Sequence, residues 1–307
     1  MTVATHFLLQ VLQNHIDAGN GSQTVWWDES RIPLDSIEKR VTDLLDLRGR
    51  RAVVTGGAGI NLGQACVNRL AGLGADVAVV DLSAEQVRER GFSRHPSAPD
   101  AEGVAAAAAK KWGTNVVPIH GDVMDWDSVQ QVMTTAAEAL GGIDILVNNA
   151  ADVVVGDFMN FGREEIDRSV RGTLTGPMYC TRAALDHMVP QGRGRIINIG
   201  SEAGSSAMPG LTVYGALKSG LGQFTRFLGK ELGPQGIQVL GVNAGSMWGP
   251  GRPLTDDRPE TLYPRGRTAI QRYELPEEVA NMVAFLASDA ASAMNGAMID
   301  MGGGMAV

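Results

Sequence analysis

Residues 51 to 81 restrict the fold more than any other stretch of the chain. Arg51-Ala-Val-Val-Thr55 is a short β-branched run that reads as a buried strand, and it passes directly into Gly56-Gly57-Ala58-Gly59-Ile60-Asn61-Leu62-Gly63. Helical periodicity follows over 64–73, and Asp76–Asp81 reads as a second strand. A glycine cluster alone says little. Placed between a strand and a helix, with a second strand at the right distance, it predicts a βαβ unit whose turn lets the backbone approach a pyrophosphate at a helix N-terminus. Gly56, Gly59, Asn61, Leu62 and Gly63 are therefore the candidate phosphate contacts. Asp81 ends the second strand, where its carboxylate can hydrogen-bond the adenosine ribose and repel a 2′-phosphate. No Arg lies in the glycine turn or directly after Asp81, so NAD(H) is expected in preference to NADP(H).

The same alternation runs on. Strands are predicted at 115–120, 143–147, 195–199, 237–242 and 297–301, and helices at 105–112, 127–140, 164–188, from Tyr214 to near Gly233, and at 276–286. Pro96 and Pro99 interrupt the second crossover helix. Strand and helix alternating in this way predict an α/β protein with a Rossmann-type, doubly wound parallel sheet of about seven strands. The 39 glycines of the 307 residues suit such a loop-rich architecture. Residues 1–46, with helical spacing over 3–16 and Trp26-Trp27, read as an appended arm that packs on the domain or on a neighbouring subunit. Residues 47–307 read as the cofactor-binding domain. Within it, residues 246–274 are rich in Pro, Gly and Arg and read as a substrate lid.

Charge and composition narrow the partners. A net charge of −8 with no basic stripe argues against nucleic acid, and no run of eighteen apolar residues suggests a membrane span. The first residues match neither a secretory nor a mitochondrial leader, having no Lys or Arg before Arg31. Cys66 and Cys180 lack metal or redox spacing and read as buried free thiols, which suggests a reducing, cytoplasmic setting. The five His residues are scattered, and no metal site is proposed.

The chemistry points to residues 195–218. Ser201 lies at the mouth of the 195–199 strand, thirteen residues before Tyr214, and Lys218 follows Tyr214 by four. On a helix Tyr214 and Lys218 share a face, so the ammonium favours the ionised phenol. A tyrosine lowered from its reference pKa of about 10 can exchange a proton with an alcohol or carbonyl oxygen near neutrality. The Ser201 hydroxyl could hydrogen-bond that same oxygen as charge develops.

Taken together, about 260 of the residues resemble the short-chain dehydrogenase/reductases. The resemblance rests on Thr55-Gly56 with the glycine turn, Asp122-Val123, Asn148-Asn149-Ala150, the Ser201, Tyr214 and Lys218 triplet, and Pro276-Glu277-Glu278-Val279-Ala280, all in the family's order. It implies that Tyr214 is the general acid/base, that Ser201 orients the carbonyl, and that Lys218 binds the nicotinamide ribose and lowers the tyrosine pKa. It further implies Asn149 near the cofactor ribose, Asp122 and Val123 beside the adenine, and a homo-oligomer, a tetramer or dimer. Four departures stand out. The glycine turn is one residue longer than usual, and Thr173 occupies the position of the family's relay Asn. Ala244-Gly245 replaces Pro-Gly, and Gly302-Gly303-Gly304 replaces Asp-Gly-Gly, with Asp300 displaced.

The expected activity is NAD(H)-dependent hydride transfer between a secondary alcohol and a ketone, both small molecules. Met208, Met247, Trp248, Leu254, Leu262 and Tyr263 flank the presumed site and suggest an apolar or aromatic carbonyl compound, unless they pack in the core. Arg252, Arg258, Arg265 and Arg267 favour the alternative of a polyol or sugar-acid dehydrogenase. A third reading is an NAD-binding scaffold without catalysis.

Overall fold

The computed structural model describes residues 32–90, 99–249 and 268–304, together with Gln10 and Asn14. Its centre is a seven-stranded sheet: β1 (Arg51–Thr55), β2 (Asp76–Asp81), β3 (Val116–His120), β4 (Ile145–Asn148), β5 (Gly194–Ser201), β6 (Ile237–Ala244) and β7 (Met298–Asp300). The strands lie in the order β3-β2-β1-β4-β5-β6-β7, every pairing parallel. Apart from a single turn at Val41–Leu44, the α-helices among the described residues are α1 (Leu62–Gly72), α2 (Ala84–Arg90), α3 (Ala101–Trp112), α4 (Trp126–Leu140), α5 (Arg163–Val170), α6 (Gly176–Gln191), α7 (Thr212–Leu232) and α8 (Pro276–Ala287). The doubly wound parallel sheet expected from the alternation is what the chain forms.

Strands buried on both faces explain the continuous apolar runs. Along β1, Ala52 and Val54 join the core under α1, α3 and α8, while Val53 points to the opposite core under α4 and α6. All three are fully buried, and a valine in such a place contributes about 1.5–3 kcal/mol. Helix ends carry their own signals. Asp125 and Asp100 accept the N–H groups of Ser128 and Gly103 at the starts of α4 and α3. Gly141, Gly113 and Gly192 take the left-handed conformation at the ends of α4, α3 and α6.

The element bounds differ from the sequence reading mainly at their ends: α1 opens two residues earlier and β5 extends to Ser201. One internal difference matters. The single helix expected over 164–188 is α5 and α6 joined by a π-helical stretch, Arg171–Thr175. The candidate helix at 3–16 apart from Gln10 and Asn14, Trp26-Trp27 and most of the 246–274 segment lie outside the described residues. No helix among the described residues is long and apolar enough to cross a membrane.

The chain leaves the centre at β1, runs outward to β3, and returns to start β4 on the other side of β1. A crevice opens at this change of direction, beyond the carboxyl ends of β1 and β4. The residues singled out from the sequence fall along that edge.

Candidate active site

The glycine turn is packed so tightly that Gly56 and Gly63 have no room for a side chain. Gly56 has φ of 63°, and a Cβ there would meet Asn149 Nδ2 at 2.9 Å and the Ala150 backbone at 3.0 Å. At Gly63 a Cβ would fall 1.9 Å from the Gly56 carbonyl oxygen. Asn61 takes the N-cap position of α1 without a side-chain cap, so the insertion is absorbed before the helix, and the Gln64 N–H donates to the Gly59 carbonyl at 3.2 Å. Ile60, at the family's middle glycine, is 40% exposed. A tight backbone at Gly56 and Gly63, and a helix start without a side-chain cap, suit a dinucleotide pyrophosphate.

Three polar side chains brace this turn. Both oxygens of Asp81 accept backbone N–H groups, from Ala58 at 3.0 Å and from Leu82 at 2.9 Å. The Asn149 amide donates to the carbonyls of Thr55 and Gly56, each at 3.0 Å, and Thr55 Oγ1 accepts the Asn149 and Ala150 N–H groups. Asn149 thus fastens β1 to β4 and holds the turn. Asp122 accepts from the Met124 N–H at 2.8 Å and is buried, which fixes the β3 exit loop that also carries Val123.

At the other side of the crevice, β5 and α7 bring the catalytic candidates together. Lys218 is only 3% exposed, and its ammonium donates to the Ile199 carbonyl at 2.5 Å, two residues before Ser201. The same Nζ lies 5.6 Å from the centre of the Tyr214 ring. Close packing enforces this: a Cβ on Gly215 would sit 2.5 Å from the Ala203 carbonyl, and one on Gly204 would sit 2.8 Å from the Ser219 nitrogen. Burial pushes the Lys218 ammonium down to about 8, which leaves it mostly cationic at pH 7. Ser201 ends β5 with its Oγ accepting the Ala203 N–H at 3.2 Å, and Tyr214 is half-buried.

Thr173, at the position of the family's relay Asn, has its hydroxyl bonded to backbone. It is fully buried in the π-helical stretch, donating to the Asp152 carbonyl at 2.8 Å and accepting the Asp152 N–H at 3.2 Å. Its hydroxyl is spent on fixing the loop after β4. Met247 packs against the core that includes Ala244 and Val279, so the core alternative holds for that side chain. Leu254, Leu262 and Tyr263 lie outside the described residues.

Sequence reasoning passed over two further side chains at this edge, Glu202 and Glu274. Both are buried, at 1% and 4% exposure. The signal that could have found them is Gly302, where a Cβ would fall 1.3 Å from Glu202 Oε1: a glycine in the place of a larger residue makes room for a carboxylate arriving from elsewhere.

A family model described as enoyl-(acyl carrier protein) reductase matches residues 57–306. A short-chain dehydrogenase/reductase of Armillaria gallica is 35% identical over 269 residues, covering 84% of this chain and 96% of its own. A 2-dehydro-3-deoxy-L-rhamnonate dehydrogenase (NAD(+)) of a Sphingomonas strain is 32% identical over 262 residues, 83% of this chain and 95% of that one. Among solved structures, a dehydrogenase/reductase of Sinorhizobium meliloti superposes with a TM-score of 0.76 at 31% identity, covering 87% of this chain and 99% of the other. A short-chain dehydrogenase of Burkholderia cenocepacia in complex with NADP gives 0.73 at 31% identity, with 85% and 99% covered. The fold and these matches define a nicotinamide-dependent oxidoreductase. The chain belongs to the short-chain dehydrogenase/reductase family.

Proposed function

We propose that the protein interconverts a secondary alcohol and a ketone by hydride transfer with NAD(H), and that Ser201, Tyr214 and Lys218 carry the proton chemistry. The observation that carries this reading is the buried Lys218 ammonium, anchored on Ile199 beside the Tyr214 ring at the carboxyl end of β5. The nicotinamide, when bound, supplies or accepts the hydride. In oxidation the Tyr214 phenolate takes the hydroxyl proton of the alcohol. In reduction the neutral phenol returns it to the carbonyl oxygen. Lys218 stabilises the phenolate by its charge, and Ser201 donates a hydrogen bond to the same substrate oxygen. Gly56, Gly59, Asn61, Leu62 and Gly63 would hold the pyrophosphate, Asp81 the adenosine ribose, and Asp122 with Val123 the adenine. Asn149 would act by keeping the turn in place.

Asp81 at the ribose position supports NAD over NADP, as does the NAD-using Sphingomonas relative. That relative also favours a second reading of the substrate, a sugar acid, which the four arginines of residues 250–267 would suit. An apolar or aromatic ketone remains the first, on Met208 and Trp248, both of them partly buried.

Tyr214→Phe tests the assignment. Turnover on both an aromatic-ketone and a sugar-acid panel should fall by at least about 10³-fold, while calorimetric NAD affinity stays within about twofold, since only the phenolic oxygen is removed. Turnover retained in the variant would defeat it.

A further inference from the structure

Glu202 and Glu274 are far apart in the C-terminal half of the sequence, yet both bring a carboxylate oxygen against Gly245. Glu202 follows Ser201 and opens the short turn 202–204 that packs on α7. Its side chain reaches across β6 to the tail turn at 302–304, where it takes the space over Gly302 and accepts the Gly302 N–H. Glu274 precedes α8. It accepts the Gly245 N–H on Oε2 at 3.1 Å, and its backbone bonds Ser246 and Trp248 on either side of the Met247 bridge, at 3.0 and 2.8 Å. One residue therefore fastens the strap 245–248 that leaves the end of β6, next to Ser201 in register with Ala244.

Between them lies Gly245. A Cβ on it would stand 3.3 Å from Glu274 Oε1 and 3.4 Å from Glu202 Oε2. Those two oxygens are buried and have no hydrogen-bond partner among the described residues. Two orphan anionic oxygens set against the same glycine in a dry site repel each other, whereas a single proton held by the pair removes that repulsion. The remaining carboxylate positions are already met by Gly245 and Gly302 N–H groups. Other charges nearby do not supply the missing partner. Asp300 adds negative charge beside Glu202, Arg272 is paired with Glu278 at 2.6 Å, and Glu278 adds negative charge beside Glu274. No cluster of metal-binding groups occurs among the described residues.

We propose that Glu202 and Glu274 hold one proton between them and act as positioning residues, locking the Ser201 turn, the 245–248 strap and the 302–304 turn into one unit. This deepens the proposed dehydrogenase reading, because the locked edge is the one bearing Ser201. Burial, with the Glu202 charge, raises the Glu274 carboxyl to about 7, and Glu202 is raised by burial and Asp300, in keeping with a retained proton at neutral pH. The sequence signals are the glycine at 302 and the glycine at 245, each leaving room for a carboxylate.

The test uses the full chain, with Glu202→Gln, Glu274→Gln, Glu274→Ala and the double Gln variant. Infrared spectra in heavy water should show a protonated carboxylic acid at pH 6.5 that disappears as the pH is raised past about 8, and is absent from Glu274→Gln and from the double variant. The native chain keeps a proton that the unfolded chain has released between the ordinary value of 4.5 and about 7. Native melting temperature should therefore fall across that window and level off above it. In Glu274→Gln that fall should shrink, because the amide donates permanently to Glu202. Glu274→Ala should lower kcat/KM by about tenfold or more, mostly in kcat, and Glu274→Gln should restore it to within about threefold. An absent acid band, an unchanged pH–melting curve in Glu274→Gln and in the double variant, or a native melting temperature raised by magnesium or calcium and not in the double variant would overturn the proposal, the last in favour of a cation site. Spectra and melting need no substrate. An acid band in a protein without turnover leaves the pair standing and removes the dehydrogenase reading; turnover without the band does the reverse.

Discussion

At the end of β2, Asp81 gives both carboxylate oxygens to backbone N–H groups, whereas beyond β5 and β6 Glu202 and Glu274 each keep an oxygen with no partner among the described residues. The contrast extends to their neighbours. On the glycine-turn side, Asn149 and Thr55 are bonded to backbone on both β1 and β4. On the catalytic side, a buried ammonium has one carbonyl, that of Ile199, to accept from it. The first region is a frame that is complete before anything binds. In the second, charge is stored in a dry setting, where an ammonium strengthens a nearby phenolate far more than it would in water.

If that contrast is right, substitutions on the two sides should fail differently. The largest effect is expected for Lys218→Met, which should lower kcat by about 10²–10³-fold. The same change should raise the melting temperature at pH 7. The folded ammonium is depressed to about 8 from 10.5, so the native chain carries a burial penalty in full below pH 8 and sheds it as pH rises towards 10.5. The stability gap between the two proteins should close over that window. A Lys218→Met protein that is active, or is no more stable at pH 7, would place Lys218 among ordinary structural residues.

A smaller effect is expected on the frame. Asp81→Asn keeps one acceptor and removes the charge, so NAD affinity should fall by about tenfold, the loss of roughly 1.5 kcal/mol in charge-assisted bonding. NADP affinity should rise relative to NAD, with kcat nearly unchanged. A drop in kcat equal to that of Lys218→Met would erase the distinction between the two regions.

How much of this was legible in the chain depended on the range over which each feature is encoded. The βαβ unit is local, so Arg51–Thr55, the turn and Asp76–Asp81 were read with their strand bounds intact. The Tyr214 and Lys218 pairing follows from helical spacing alone. The π-helical stretch at Arg171–Thr175 was not legible, because an i to i+5 step leaves no periodic mark in so short a segment. Nor was the use of the Thr173 hydroxyl, which depends on Asp152 across the loop after β4. Glu202 and Glu274 are far apart in sequence, and only the folded edge reveals that Gly245 and Gly302 make room for their carboxylates. Met247 illustrates the same limit: its place in the core is set by the bridge to Glu274, which no local pattern announces.

The most direct test of hydride transfer at this site is a single-turnover reaction of the native protein with NADH in which both hydrogens of the reactive nicotinamide carbon are replaced by deuterium, run against the aromatic-ketone and sugar-acid panels and read by mass spectrometry. The account predicts an alcohol product with deuterium on its carbinol carbon, formed by the native protein and not by Tyr214→Phe. Product without deuterium, or tight NADH binding with no carbonyl reduced on either panel, would contradict it.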